Sequence, residues 1–384
     1  MSESTTVSES TSVSELAGES DRMKEFLDIL NSAYPDSALL VGRILGDRRD
    51  ATSAVATGAD LAGLELTVTD PSGAHPVRVD FLEPVESADQ LVFAAMALVT
   101  AARERSGESG TTSAERVMAQ MGGIRTMLTR VVAVRDVHPH LRCITFGGGD
   151  LVDFAPLGPD TFVYVLLPPP GRTELTIDQD FSWEAVGDMP EDERPVGAYY
   201  TVREWRADTK ELDALFVLHG DEGAASAWAQ RAGVGDPVAL WGPRSAYDPP
   251  ADTTEWLLVV DETGLPGAAA IVESLPAGTP VRLFAEVGGI DERQPIPSHD
   301  GLEVVWLHRD GAEPGRTSLL EDAVRLAAPP APTAYVWGGA ESRGISAVRR
   351  YVRRELGLPR DRVSLTGYWR HAEHPDDAAL DEDA

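Results

Sequence analysis

Three short stretches carry residue types able to hold a phosphorylated, ring-bearing ligand. In Tyr199-Tyr200-Thr201-Val202-Arg203 an aromatic ring, a hydroxyl and a guanidinium follow one another on an extended pattern. Alternate side chains of a strand share a face, so Tyr199, Thr201 and Arg203 are expected on one side and Tyr200 and Val202 on the other. That set suits a planar ring system joined to a phosphate; an ordinary strand with an aromatic face and a solvent arginine has the same composition. The second stretch, His219-Gly220-Asp221-Glu222-Gly223-Ala224-Ala225-Ser226, lies where a strand hands over to a helix. A glycine-rich turn there presents unpaired N–H groups and the positive end of the helix dipole to an anion, and Ser226 adds a hydroxyl. A plain connection with a packed histidine reads the same way. The third set comprises the loops Asp261-Glu262-Thr263-Gly264-Leu265-Pro266 and Gly338-Gly339-Ala340-Glu341-Ser342. Gly338-Gly339 permits close backbone approach by a ligand or simply a tight turn. The Asp261 loop lacks a Gly-x-Gly-x-x-Gly fingerprint, so no dinucleotide site follows from it alone. Pro243-Arg244 and Trp369-Arg370 each set a guanidinium near the end of an apolar run.

The elements that must position these residues fall into three segments. Residues 1–20 are Ser/Glu/Thr-rich and read as a disordered tail. Residues 21–105 read as a small α+β module: a helix from residue 21, strands over 37–44, 51–57, 64–69 and 76–81, and a second helix over 90–105. Asp70-Pro71-Ser72-Gly73 supplies turn chemistry between the last two strands. Residues 106–126 read as a flexible linker. In 127–249, short alternating runs separated by Gly, Pro and Asp predict an antiparallel β-barrel interrupted by one helix over 224–232. In 250–370, apolar strands alternate with helices, which predicts an α/β domain with a parallel sheet and ligands beyond the strands' carboxyl ends. Residues 371–384 form an acidic tail.

Composition narrows the function classes. The 384 residues carry 63 acidic against 33 basic side chains, a formal net charge of −30. With no Lys/Arg cluster to offset that charge, nucleic acid is not an expected partner. Cys143 is the only cysteine, which excludes an internal disulfide, a four-cysteine zinc site and a Cys-ligated iron–sulfur cluster. No run is long enough to span a bilayer and the N-terminus has no secretion-signal pattern, so a cytoplasmic protein without a resident metal is expected.

Taken together, the loops resemble a known family. Their order is Tyr200-Thr201-Val202-Arg203, residues 218–229, Gly235-Asp236 through Gly242-Pro243-Arg244, residues 261–266, Trp306-Leu307-His308-Arg309, Glu341-Ser342 through Arg349-Arg350, and Gly367-Tyr368-Trp369-Arg370. Over residues 127–370 the chain is similar to the siderophore-interacting proteins, flavin-dependent ferric-siderophore reductases of ferredoxin-reductase-like fold. Residues 21–105 resemble a small domain associated with haem use, without the His-containing pair usual near its start.

The resemblance implies an FAD-binding barrel, then a domain that takes NADH or NADPH as electron donor. Tyr200, Thr201, Val202 and Arg203 would lie against the flavin and its diphosphate, and His219, Gly220, Ala225 and Ser226 would form the pyrophosphate turn. Asp261, Thr263 and Glu341 would face the nicotinamide nucleotide. Arg244 and Arg370 are the candidate contacts for a ferric siderophore. The alternatives are a non-catalytic siderophore-, haem- or partner-binding module of the same fold, and a general flavin reductase. Three positions depart from the family pattern: Ala198 replaces the first arginine of the flavin strand, Ala224 a proline, and Tyr164 a lysine. The missing lysine and the charge of −30 favour a neutral or cationic hydroxamate chelate over a triply anionic catecholate. Arg194 and Arg206 are the nearest cations that could replace the missing arginine.

Overall fold

The computed structural model describes residues 13–107, 110–219 and 223–371, and the chain divides into two units, Met1–Gly122 and Gly123–Ala384. Residues 1–12 and 372–384, assigned to the two tails, lie outside the described residues.

The first unit contains α1 (Val13–Ala33), α2 (Pro35–Ile44), β1 (Ser53–Asp60), β2 (Gly63–Asp70), β3 (Gly73–Asp80), α3 (Leu91–Ser106) and α4 (Ser113–Gly123). Its strands form an antiparallel sheet in sequence order. Three expectations change. The first helix begins at Val13 rather than at residue 21, because Glu, Leu and Ala between its serines favour a helix. Residues 37–44, expected as a strand, are helical. Pro35 and Asp36 occupy the first turn, and Ser37, Ala38 and Val41 are buried at helical spacing in a run too short for its period to decide. The expected linker contains α4, opened by a reciprocal capping box in which Thr112 N–H donates to Glu115 (2.7 Å) and Glu115 N–H to the Thr112 hydroxyl (3.4 Å). Ser113 N–H donates to Asp36 (2.8 Å), tying α4 to α2. Asn31, where the resembling domain carries its pair, accepts from Ala56 N–H (2.7 Å) and donates to Ala56 C=O (2.8 Å), fastening α1 to β1.

The half-buried Arg103 guanidinium grips Glu115 at 2.8 and 2.9 Å and holds its carboxyl down to about 2. A depressed folded-state pKa stabilises the fold above the ordinary value near 4.5 and is lost as pH falls toward 2. In Glu115→Gln the thermal midpoint of the first unit, followed by circular dichroism, should therefore depend less on pH between about 4.5 and 2.

The second unit opens with a curled, seven-stranded antiparallel sheet: β4 (Arg125–His138), β5 (Leu141–Gly147), β6 (Phe162–Leu167), β7 (Val196–Thr201), β8 (Glu204–Arg206), β9 (Glu211–Val217) and β10 (Pro237–Arg244), in the order β7-β6-β10-β4-β5-β9-β8. Inward residues such as Met127, Ile144, Val163, Leu212, Phe216 and Leu240 are fully buried and fill the half-barrel. It carries two helices rather than the expected one, α5 (Trp183–Asp188) and α6 (Ala224–Arg231). Then β11 (Glu255–Val260), α7 (Leu265–Ser274), β12 (Val281–Val287), β13 (Leu302–His308), α8 (Leu319–Leu326), β14 (Ala334–Glu341), α9 (Ser342–Arg350) and β15 (Val363–Trp369) build a parallel sheet ordered β13-β12-β11-β14-β15. Separate apolar clusters cover its two faces, as expected for the α/β alternation. Among the described residues, no helix is long and apolar enough to cross a membrane.

Candidate flavin and nucleotide site

The stretch 199–206 is not one strand. It breaks at Val202-Arg203, where the chain passes from the β7 edge to the β8 edge. Val202 N–H donates to Thr161 C=O (2.7 Å) and Arg203 N–H to Asp213 C=O (2.8 Å), so these two residues bridge the seam between the sheet's edges. The expected alternation therefore ends early, and both Thr201 and Val202 are buried. Tyr200 turns inward and stacks on Phe216 of β9 (centroids 3.9 Å, planes 28° apart), which in turn meets Trp228 of α6 at 5.8 Å. Burial pushes the Tyr200 hydroxyl well above the ordinary phenol range. This column sets the start of α6 beside β7.

At that start, among the described residues, no side chain caps the helix, and Gly223 is the N-cap. A Cβ at Gly223 would come within 2.9 Å of the His219 ring, so glycine lets the imidazole lie against the turn. His219 N–H donates to the buried Ser226 hydroxyl (3.1 Å). Gly220 lies outside the described residues. Ala225 lies in the first turn of α6, at the helix end whose N–H groups and dipole suit a diphosphate.

Arg203, expected at the diphosphate, has a carboxylate partner. Both terminal nitrogens of its guanidinium donate to Glu273 of α7 (2.9 and 2.7 Å), so in this structure Arg203 joins the barrel to the α/β domain. The proposed substitutes for the missing arginine are engaged as well. Arg194 donates to Met189 and Gly187 carbonyls (3.0 and 3.1 Å), and Arg206 to Asp213 (3.0 and 2.7 Å). Arg203→Ala should change flavin affinity by less than about twofold and cost at most about 1 kcal/mol, since the partner is half-exposed. A tenfold loss of affinity in a flavin titration would return Arg203 to the diphosphate.

At the carboxyl edge of the parallel sheet, Asp261 is a structural keystone. Its buried carboxylate accepts from Thr263 N–H (2.8 Å), the Thr263 hydroxyl (2.6 Å), Glu341 N–H (3.0 Å) and Trp369 Nε1–H (2.7 Å). Burial raises its pKa, the neighbouring Glu262 adds to the rise, and these donors oppose it. Asp261 and Thr263 thus hold the starts of α7 and α9 and the end of β15 together. Both were expected to face a nucleotide; their hydrogen-bonding groups are turned to one another instead. Glu341, the third residue expected there, keeps one oxygen out of this network. One carboxylate oxygen caps α9 through Arg343 and Gly344 N–H (2.7 and 3.1 Å), while Oε1 is buried with no partner among the described residues. It borders a cleft of about 550 Å³ that Arg316, Arg343 and Arg350 also line. An orphaned acceptor beside three guanidiniums fits a nucleotide's ribose and phosphates.

Sequence reasoning missed Tyr368. Its ring lies against Gly339, where a Cβ would sit 2.4 Å away, and its hydroxyl reaches Thr201. Arg244 lies over the Trp241 ring (4.4 Å) with its Nε unpaired among the described residues, and Arg370 is exposed beyond Trp369.

Comparison with known proteins matches this arrangement. The model of the siderophore-interacting FAD-binding domain matches residues 130–247 and that of the siderophore-interacting protein matches residues 253–372. An uncharacterized protein of Mycobacterium tuberculosis is 31% identical over 250 residues, covering 62% of this chain and 88% of the relative. The chain belongs to the siderophore-interacting protein family. Other relatives include the ferric vibriobactin reductase of Vibrio cholerae, 29% identical over 62% of this chain and 87% of the relative. The crystal structure of a siderophore utilization protein from T. fusca is 32% identical, covers 65% of this chain and 95% of that one, and superposes with a TM-score of 0.58. Both matched regions lie in the second unit.

Proposed function

We propose that this chain is an FAD-dependent oxidoreductase that uses NADH or NADPH to reduce a ferric siderophore and so release its iron. The observation that carries the reading is the buried Glu341 Oε1, without a partner among the described residues, beside the arginine-lined cleft, in a unit where the Arg203–Glu273 pair joins the curled sheet to the α/β domain.

In this reading the first-turn N–H groups of α6 bind the FAD diphosphate, and Thr201 and Tyr368 bound the ring. Glu341 and the α9 arginines hold the nicotinamide nucleotide. Bound FAD would supply the redox chemistry, accepting a hydride and delivering single electrons to ferric iron. Hard-oxygen chelators hold ferrous iron far less tightly than ferric, so reduction suffices for release. The chain's part is to position and to exclude water; no side chain at the Thr201–Tyr368 junction is required to move a proton.

Supplying the protein with FAD, NADH or NADPH and a ferric chelate in the presence of a ferrous-specific colorimetric trap should give FAD-dependent ferrous iron. A reduced, flavin-loaded protein that released no iron would leave a flavin reductase acting on other acceptors.

A further inference from the structure

We propose that the outer face of β6, β7 and β10 is the docking surface for the ferric chelate. Its chemistry selects an uncharged or cationic hydroxamate chelate with polymethylene arms. The inference rests on the reductase reading and gives its ferric chelate a surface around Arg244.

Strand register places Tyr199, Tyr164 and Trp241 abreast, one from each strand. Phe162 stands one pleat along β6, and the excursion between β6 and β7 brings Phe181 and Trp183 onto the same face. The six rings meet edge-to-face: Tyr164 is 4.9 Å from Tyr199 and 5.0 Å from Trp183, and Trp183 is 5.9 Å from Trp241. Phe162–Tyr199 and Phe181–Trp183 close the set at 5.5 and 5.1 Å. Tyr199 remains 48% and Trp183 43% exposed. Contiguous open rings on a soluble domain mark a binding surface. This one shares β7 with Thr201, so a chelate seated on it borders the candidate flavin strand.

Charge decides which chelate. The shelf's own cation is Arg244, lying over Trp241 at 4.4 Å and Tyr199 at 5.9 Å. The border contributed by the excursion is acidic, with Asp178, Asp180, Glu184 and Asp188 exposed around Phe181 and Trp183. A triply anionic chelate would meet those four carboxylates with Arg244 on the shelf and Arg194, beside Asp188, to offset them; Arg172 is taken up by Asp192 and Glu193. Polymethylene arms instead pack on the rings, and an ammonium group gains both the acidic border and the ring faces.

Calorimetric titration of the full-length protein with redox-inert gallium(III) complexes tests this without turnover. The desferrioxamine B complex should bind about tenfold or more tightly than the enterobactin complex. Trp183→Ala and Tyr199→Ala should each weaken the former by roughly threefold to tenfold, and Tyr164→Lys should narrow the gap between the two. Equal or tighter binding of the catecholate, or hydroxamate binding indifferent to Trp183→Ala, overturns the proposal. The wild-type comparison stands even where a variant fails to fold. Flavin content read on the same samples separates the two claims. A colourless protein that still prefers the hydroxamate fails only as a reductase, and a flavoprotein that prefers the catecholate fails only here.

Discussion

Ala198→Arg should tighten FAD binding by about tenfold to a hundredfold, because a charge-assisted hydrogen bond to a phosphate contributes about 1.5–3 kcal/mol. Ala198 lies on β7 opposite Val165, two residues before Tyr200. The nearby arginines cannot take its place: Arg194 is turned to the Met189 and Gly187 carbonyls, Arg206 is held by Asp213 and Glu211, and Arg203 is held by Glu273. The diphosphate is thus left to the N–H groups of α6, whose dipole is partial where a guanidinium carries a full charge. Flavin fluorescence quenching during titration measures the change. An unchanged affinity would place the diphosphate away from β7.

Arg309→Leu should destabilise the second unit by about 3–5 kcal/mol, the cost of leaving buried carboxylates without their cation. Arg309 is 8% exposed and is bonded to both oxygens of Glu262, with Glu286 at 3.5 Å. Burial drives the Glu286 pKa up, and the Thr317 hydroxyl (2.9 Å) and Arg309 restrain that rise. Glu262 also accepts from Gly288 N–H (3.1 Å), so the ion pair fixes the loop after β12 as well as the edge beside the cleft. Urea denaturation should show the loss, and adding Glu262→Gln and Glu286→Gln should recover most of it. A single-variant cost below about 1 kcal/mol would mean that water reaches these carboxylates.

What the sequence made legible was local. The barrel strands and the α/β alternation follow from short apolar runs punctuated by Gly, Pro and Asp, and they stand close to where they were expected. The His219 turn and α6 were readable for the same reason. Residues 37–44 were misread because a short apolar run has no decisive period, although Pro35-Asp36 is a helix start. The helix in the expected linker carried its own signal in Thr112 and Glu115, three residues apart. The carboxylate partners of Arg203 and Arg309 lie 70 and 47 residues away, beyond the reach of spacing arguments. The ring shelf is drawn from residues scattered between Phe162 and Trp241, and only strand register brings them abreast. Tyr368 escaped notice because its role depends on Gly339 and Thr201, on two other strands.

The central claim is that the curled antiparallel sheet of this chain holds FAD, and its most direct test is the visible absorbance spectrum of the purified full-length protein. The account predicts flavin bands, present as isolated or after adding FAD and removing the excess, that bleach anaerobically with NADH or NADPH. A protein that stays colourless after FAD is supplied would contradict it.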